Sequence, residues 1–169
     1  MKKCYIYMTI IMLFGQLYMT NLYAGDITFK YGLGFDQPNQ DGVAETKYIS
    51  LGYINPISRI FNNKFDLGAW FDSLDADKLK RSSGFVSDSL GIRVEPGYFY
   101  GETYFGASYI TQVDSQLGTQ FEFTEELGFG IKDNKGKWCG FEYRHFSNAG
   151  MSQINKGRDF FLFNVGFNL

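Results

Sequence analysis

Apolar and polar residues alternate along most of the chain, and such alternation is typical of β-strands whose two faces have different surroundings. In the first such segment Ile27, Phe29 and Tyr31 share one face, whereas Thr28 and Lys30 share the other. No stretch shows the sustained spacing of three and four residues that an amphipathic helix requires. The pattern predicts eight strands, at residues 26–35, 46–55, 65–72, 84–95, 98–111, 119–132, 137–147 and 158–169.

The segments between these strands are of two kinds. Four are polar loops, at residues 36–45, 73–83, 112–118 and 148–157, and two are tight turns, at residues 95–97 and 133–136. Residues 56–64 form a further connection, which we expect to be longer than a typical tight turn. An even number of strands with long loops at one end and mostly short turns at the other is typical of an outer-membrane β-barrel. With both termini on the periplasmic side, the four polar loops would face the cell exterior.

The two faces of the predicted strands differ in chemistry. One face is apolar throughout, and the other combines glycine with charged residues, namely Lys30, Asp66, Arg93, Glu102, Glu122, Glu126, Glu142 and Arg144. Opposite charges on that face can pair inside the narrow lumen of an eight-stranded barrel, which favours a transmembrane barrel with its apolar face toward lipid. The alternation is also compatible with a soluble, lipocalin-like barrel whose apolar face surrounds a ligand.

The amino terminus has the features of a cleaved secretory signal. Lys2 and Lys3 give it a positive start, residues 5–15 are apolar, and Ala24 is the small residue expected before a cleavage site. A retained transmembrane helix would need about 20 consecutive apolar residues, and this run is shorter. The predicted organisation is a signal peptide over residues 1–24 followed by a single barrel domain over residues 25–169.

The amino-acid composition of the chain excludes several classes of function and site. The chain has 169 residues, of which 16 are basic and 18 are acidic, and its formal net charge is −2. It therefore offers no basic surface for binding nucleic acid. One histidine and two cysteines are too few for a zinc site of the usual kind, which leaves a hard-cation site built from carboxylates as the open alternative. Only Cys139 lies outside the predicted signal peptide, so an intramolecular disulfide is excluded.

The candidate chemistry lies around the single histidine. His145 and Ser147 are two residues apart near the end of the seventh strand, so both side chains project from the same face. Asp159 stands on that face at the start of the eighth strand, which one loop joins to the seventh. Serine, imidazole and carboxylate supply a nucleophile, a general base and a group that orients the base. The alternative is a chemically inert set, comprising an interfacial histidine, a serine at a strand end and an aspartate at a strand start.

A family resemblance rests on these residues. The sequence His-Phe-Ser-Asn-Ala-Gly at residues 145–150, followed by Asn155 and Gly157, resembles the hallmark of the outer-membrane lipid A 3-O-deacylase (PagL-type) family. The resemblance covers the carboxy-terminal half of the chain most closely. It implies an eight-stranded outer-membrane barrel that hydrolyses the ester-linked 3-hydroxyacyl chain at position 3 of lipid A without a metal. Its partners would be lipopolysaccharide and the lipids of the outer membrane.

The resemblance also implies roles for individual residues. It makes His145 the base and Ser147 the nucleophile, and it places Asp159 where the family has a glutamate. Oxyanion stabilisation and support of the site are then expected from Asn148, Ala149, Gly150 and Asn155.

Several alternatives remain open at the level of sequence. The chain could be a non-enzymatic barrel with a structural or adhesive role, a lipid A acyltransferase that moves a chain instead of hydrolysing it, or a soluble lipocalin-like binder. Whether it forms a homodimer is undecided. The cations expected in the outer loops are candidates for contact with lipid phosphates or sugars, or are ordinary solvated charges; they are Lys80, Arg81, Lys156 and Arg158.

Overall fold

The computed structural model describes residues 25–35, 45–72, 82–113 and 116–169. Within these ranges eight antiparallel strands close into one barrel, in which each strand pairs with its sequence neighbours and the last pairs with the first. The strands are β1 Asp26–Phe35, β2 Glu45–Pro56, β3 Phe61–Asp72, β4 Ser83–Val94, β5 Phe99–Ile110, β6 Phe121–Lys132, β7 Lys137–Ser147 and β8 Arg158–Asn168. The described residues contain no helix that is long and apolar enough to cross a membrane. The predicted eight-stranded barrel is confirmed.

The apolar face of the sheet points outward. Leu67, Leu90 and Leu127, on three different strands, are 60%, 61% and 62% exposed. All eight charged residues predicted for the opposite face are buried in the lumen. A lipocalin-like barrel would have its apolar face inside, so this arrangement excludes the soluble alternative. The exposed apolar band is instead what a barrel presents to the hydrocarbon core of a membrane.

The charges inside the lumen are paired with one another. Lys30 Nζ lies 3.1 Å from Asp66 Oδ2 and 3.0 Å from Glu142 Oε1. Lys64 Nζ lies 2.6 Å from Glu126 Oε2 and 3.0 Å from the second oxygen of Glu142. Each lysine is therefore shared between carboxylates of different strands. Such sharing offsets the large cost of removing these charges from water.

An aromatic cluster fills the lumen next to the outer ends of β7 and β8. The Trp70 ring packs 5.3 Å from Phe146 and 5.7 Å from Phe160, measured between centroids. Phe146 and Phe160 meet edge to face at 5.8 Å. These two phenylalanines alternate with the outward-facing residues of β7 and β8, so their packing fixes the strand ends that carry the candidate site.

One predicted connection is wrong. The expected long connection at residues 56–64 is a short turn, because β2 continues to Pro56 and β3 begins at Phe61. The polar residues that suggested a loop belong to β3. Asn62 and Lys64 are only 7% and 1% exposed, because both side chains point into the lumen. Polarity here marks the inner face of a strand instead of its end.

The expected tight turn at residues 133–136 is present. Asp133 Oδ1 accepts hydrogen bonds from the backbone N–H groups of Lys135 and Lys137, at 2.8 and 2.9 Å. These donors, that of Lys137 first, hold the pKa of the Asp133 carboxyl below its ordinary value. Gly136 completes the turn with a φ of 78°, a left-handed conformation that favours glycine.

The expected loop cations are only partly described. Arg158 is not in a loop: it is the first residue of β8, is 1% exposed, and lies inside the barrel with its guanidinium carbon 5.8 Å from the Trp70 ring. The alternation along β8 turns this side chain away from solvent, so its expected contact with lipid phosphates is wrong. Lys80 and Arg81, like the predicted signal peptide over residues 1–24, lie outside the described residues.

Replacing Lys30 by methionine is expected to destabilise the barrel by about 3 kcal/mol, because Asp66 and Glu142 each lose one of their cationic partners while their own charges remain in the lumen. Urea unfolding of the detergent-solubilised barrel measures this change. The matched control is Lys132→Met, since Lys132 pairs with Glu95 where both side chains are about one-third exposed, and its loss should cost less than about 1 kcal/mol. Equal unfolding midpoints for the two variants would contradict a stabilising role for the lumen network.

Candidate active site

The candidate residues lie on the outward face of the barrel, where β7 and β8 meet the loop at residues 148–157. Strand pairing places His145 directly opposite Asp159. Ser147 is the last residue of β7 and stands opposite Phe123 of β6. All three side chains share one face because the alternation of β7 and β8 has a period of two residues. A polar group of this kind stands out on a surface that is otherwise apolar.

His145 and Asp159 form the central contact of the site. The His145 Nδ1 atom lies 2.7 Å from Asp159 Oδ1. Both side chains are partly exposed, at 27% and 37%. A neutral imidazole that donates its Nδ1 proton to this carboxylate keeps a lone pair on Nε2. Nε2 is therefore the atom available to accept a proton.

Ser147 completes the set from two residues further along β7. Its side chain is half-buried, and its hydroxyl has no hydrogen-bond partner among the described residues. The structure thus brings His145 and Asp159 into contact and leaves Ser147 beside them on the same face. In serine hydrolases the bond between the hydroxyl and the imidazole often tightens only when substrate is in place.

Gly157 closes the site from the side of the loop. Its φ of +76° is left-handed, and a Cβ atom at this position would lie 2.5 Å from His145 Cε1 and 3.2 Å from Nε2. Glycine is needed here both for its backbone conformation and for the close approach of the imidazole. The loop backbone therefore packs directly against the ring of the candidate base.

The loop after β7 is held by the side chain and backbone of Asn148, which is fully buried. The Asn148 backbone N–H donates to Asn155 Oδ1 at 2.8 Å, and Asn148 Nδ2 donates to the Ile154 carbonyl at 2.7 Å. Asn148 Oδ1 accepts from the Gly150 backbone N–H at 3.1 Å. Ala149, with a φ of 50°, makes the turn.

These bonds decide which of the expected oxyanion donors are available. The N–H groups of Asn148 and Gly150 are already used within the loop. In the part of the chain that the structure describes, the backbone N–H of Ala149 and the Nδ2 of Asn155 donate no hydrogen bond. These two groups are the donors left for a substrate oxygen.

A second loop segment, at residues 116–118, supports the first, and no pattern in the sequence indicates this contact. Leu117 forms an isolated antiparallel bridge with Asn155. The Gly118 N–H donates to the Ile154 carbonyl at 3.1 Å, and the Lys156 N–H donates to the Gln116 carbonyl at 3.0 Å. The loop that carries the candidate donors is thus fixed at its far end by the loop between β5 and β6.

Two residues near His145 were missed by the sequence analysis. The Tyr143 hydroxyl donates to Asp159 Oδ1 at 2.5 Å. Glu125 of β6 stands directly opposite His145 and is exposed on the outward face. Glu125 interrupts the run of apolar residues on that face of β6, so the sequence pattern could have identified it as an unusual charged residue on the lipid-facing side. Tyr143 could not be identified in this way, because a tyrosine does not stand out on a face rich in aromatic residues.

The arrangement is suited to nucleophilic ester or amide cleavage at the surface of a membrane. It contains a hydroxyl, a base with a free Nε2, a carboxylate that orients the base and two unused N–H donors. Among residues 25–35, 45–72, 82–113 and 116–169, no three histidine, cysteine, aspartate or glutamate side chains come together to hold a metal ion.

Comparison with known proteins gives consistent matches. The sequence model of the family described as Lipid A 3-O-deacylase (PagL) matches residues 29–168. The curated Lipid A deacylase PagL of Bordetella bronchiseptica is 34% identical over 64 residues, and this match spans 36% of the present chain and 36% of that protein.

Three solved structures share the fold. The crystal structure of the outer membrane enzyme PagL superposes with a TM-score of 0.64 at 16% identity, covering 85% of this chain and 99% of that one. Ail, the attachment invasion locus protein of Yersinia pestis, gives a TM-score of 0.57 at 10% identity, and the OprF barrel domain of Pseudomonas aeruginosa gives 0.57 at 12%. Both cover 88% of this chain and 100% of the matched chain. At such identities the structural matches concern the fold alone.

Replacing Gly157 by alanine is expected to displace the His145 ring and break its bond to Asp159, because the added Cβ would overlap the ring. His145 is the single histidine of the chain, so ¹⁵N-labelled protein without a histidine tag gives one imidazole spectrum that reports this bond directly. Gly97→Ala is the matched control, since Gly97 has a similar φ of +66° but nothing within 4 Å of a Cβ. Unchanged imidazole signals in the Gly157 variant would contradict the described packing.

Proposed function

The chain belongs to the lipid A 3-O-deacylase family, and from this membership we propose that it hydrolyses the ester-linked 3-hydroxyacyl chain at position 3 of lipid A in the outer leaflet. The barrel itself is an outer-membrane protein. The observation that carries the proposed activity is the 2.7 Å contact between His145 Nδ1 and Asp159 Oδ1 on the lipid-facing side, with Ser147 on the same face.

Acyl transfer to the enzyme is the first half of the proposed reaction. The Ser147 hydroxyl attacks the ester carbonyl while His145 Nε2 takes its proton, and Asp159 stabilises the imidazolium that forms. The negative charge on the carbonyl oxygen is stabilised by the Ala149 N–H and Asn155 Nδ2. One such donor contributes about 3 kcal/mol where it has been measured in other hydrolases. The imidazolium then protonates the sugar oxygen as it leaves, and the acyl chain stays on Ser147.

Hydrolysis of the acyl-enzyme is the second half. Water gives a proton to His145 Nε2 and attacks the acyl carbonyl, with the same two donors stabilising the oxyanion. The tetrahedral intermediate collapses, Ser147 recovers its proton from the imidazolium, and a 3-hydroxy fatty acid is released. The half-exposed site at the end of β7 gives water this access.

The position of the site suits a substrate that never leaves the membrane. The acyl chains of lipid A already lie along the outer wall of a barrel, next to exposed residues such as Phe161 and Phe163 of β8. The polar residues of the site stand at the strand ends, at the level of the sugar and its esters. The substrate can therefore reach Ser147 by diffusing within the leaflet.

Strand register supports aspartate as the acid of the site. His145 and Asp159 are directly opposed across β7 and β8, and the side chains of such pairs are close. The shorter aspartate therefore reaches Nδ1 at a full hydrogen-bond distance of 2.7 Å. A glutamate is not required by this geometry.

Finer assignments are proposals of the same kind. Residues 1–24 would be removed as a signal peptide during export. The chemistry would be that of a serine esterase, without a cofactor. The homodimer and the contact of Lys156 with lipid phosphates remain predictions.

Replacing Ser147 by alanine is expected to abolish deacylation, because no nucleophile then remains beside His145. Mass spectrometry of lipid A from a Gram-negative host should show the loss of one 3-hydroxyacyl mass with the wild type and no loss with Ser147→Ala. Ser152→Ala in the same loop is the control and should act like the wild type, since among the described residues the Ser152 hydroxyl bonds only to the Ile154 N–H, within the loop.

The other outcomes of this experiment are informative. Deacylation by Ser147→Ala would remove Ser147 from the nucleophile role. A gained acyl mass would identify an acyltransferase. An unchanged lipid A profile from wild-type protein that is folded in the outer membrane would indicate a non-enzymatic barrel.

Replacing Asp159 by asparagine is expected to lower kcat by about three to four orders of magnitude, because the amide no longer stabilises the imidazolium or selects its tautomer. Asp159→Glu keeps the charge and should remain within about tenfold of wild type. Rates of fatty acid release from purified lipid A in detergent measure both variants. Equal rates for wild type and Asp159→Asn would show that Asp159 is not the acid of the site.

A further inference from the structure

We propose that Tyr143 is a positioning residue of this site, whose hydroxyl holds Asp159 in the orientation that accepts the hydrogen bond from His145. The inference rests on the proposed function and deepens it by adding a side chain that acts through Asp159. Tyr143 contributes no atom to the reaction itself.

The observation is a hydrogen bond shared at one oxygen. The Tyr143 hydroxyl lies 2.5 Å from Asp159 Oδ1, the same atom that lies 2.7 Å from His145 Nδ1. Among the described residues, the second oxygen, Oδ2, accepts no hydrogen bond. Two donors that converge on one atom restrict rotation of the carboxylate far more than one donor does. Bonds to an ionised acceptor are also stronger than bonds between neutral groups.

Strand register explains why Tyr143 reaches this atom. Tyr143 precedes His145 by two residues on β7 and therefore shares its face. Its direct partner on β8 is Phe161, while Asp159 is the partner of His145. Asp159 is thus the diagonal neighbour of Tyr143, at a separation that a long aromatic side chain spans.

Among the described residues, His145 and Tyr143 are the only side chains that hydrogen-bond to the Asp159 carboxylate. Its side chain is 37% exposed, and its neighbours along the outward face of β8 are Phe161 and Phe163, which offer no donor. An aspartate in such surroundings would rotate between orientations in which only some face Nδ1. The Tyr143 hydroxyl, which approaches from the lipid-facing side, restricts this rotation of the Asp159 carboxylate.

The hydrogen bonds shared at Asp159 Oδ1 also determine which of two nearby carboxylates pairs with His145. His145 stands between Asp159 on β8 and Glu125 on β6, both in direct register with it. Of these two carboxylates, Asp159 is the one that hydrogen-bonds to the imidazole. By fixing Asp159 against Nδ1, Tyr143 keeps the ring turned toward β8 and leaves Nε2 for Ser147.

A spectroscopic test does not depend on activity. The single histidine of the chain gives one pair of imidazole ¹⁵N signals, whose shifts report which nitrogen carries the proton. Wild-type protein should show a single tautomer with the proton on Nδ1, whereas Tyr143→Phe should show a mixture of tautomers. The matched control is Tyr109→Phe, since Tyr109 is a lipid-facing tyrosine of similar exposure, 46% against 43%, without a side-chain hydrogen bond in the described part of the chain. A Tyr143→Phe spectrum identical to that of wild type would overturn the proposal.

A kinetic test asks whether Tyr143 acts through Asp159. Tyr143→Phe should lower kcat for lipid A deacylation by about tenfold and change KM by less than about twofold, because substrate contacts are kept. In an Asp159→Ala background the same substitution should change kcat by less than about twofold, since the atom it positions is gone. A full tenfold loss in that background would overturn the proposal, as would wild-type kcat in Tyr143→Phe.

The two tests separate this inference from the proposed function. An inactive wild-type protein whose imidazole spectrum responds to Tyr143→Phe but not to Tyr109→Phe would refute the deacylase and support the positioning role. An active wild-type protein with no response to Tyr143→Phe in either measurement would support the deacylase and refute the positioning role.

Discussion

Closure of the hydrogen-bonded sheet is the constraint on which the rest of this structure depends. A chain that crosses lipid with strands must satisfy every backbone N–H and C=O within the barrel, which leaves no free edge. Closure through the β1–β8 pairing gives every residue a fixed side, inside or outside. In this eight-stranded barrel the lumen is filled by side chains. Charged residues placed there must pair with each other, as Lys30 and Lys64 do with three carboxylates.

The same closure sets the geometry of the candidate site. Register between β7 and β8 brings His145 and Asp159 together without help from a loop. Loops contribute at the next level, where Gly157 limits the position of the ring and Asn148 organises the turn that holds the remaining N–H donors. The reactive pair therefore lies on the rigid part of the molecule, which suits chemistry that depends on accurate placement.

The alternation of apolar and polar residues was sufficient to predict the barrel and the face on which the candidate site lies. The strands at residues 26–35 and 137–147 have the predicted bounds, and the shared face of His145, Ser147 and Asp159 follows from period two alone. Alternation failed where polarity was interpreted as a loop, at Asn62 and Lys64. Arg158 was counted among the loop cations although it begins the predicted eighth strand, whose alternation turns its side chain inward. One sequence does not show which hydrogen bonds a group makes or which rotamer a side chain adopts. The role of Asn148 and the bond between Tyr143 and Asp159 are therefore visible only in the structure.

The two-residue alternation along a strand also places the residues that stabilise the barrel and the residues of the candidate site on opposite faces of the same strand. On β7 the even residues point inward: the Arg144 guanidinium contacts Asp66 and Glu126, and Phe146 packs in the aromatic cluster. The odd residues point to lipid and carry the reactive groups. An inward charge can be balanced by partners on many strands, whereas an outward polar group in lipid must find its partner on an adjacent strand. This limits a lipid-facing site to residues on neighbouring strands near the membrane boundary. It explains why both donors to the Asp159 carboxylate, His145 Nδ1 and the Tyr143 hydroxyl, come from the adjacent strand β7.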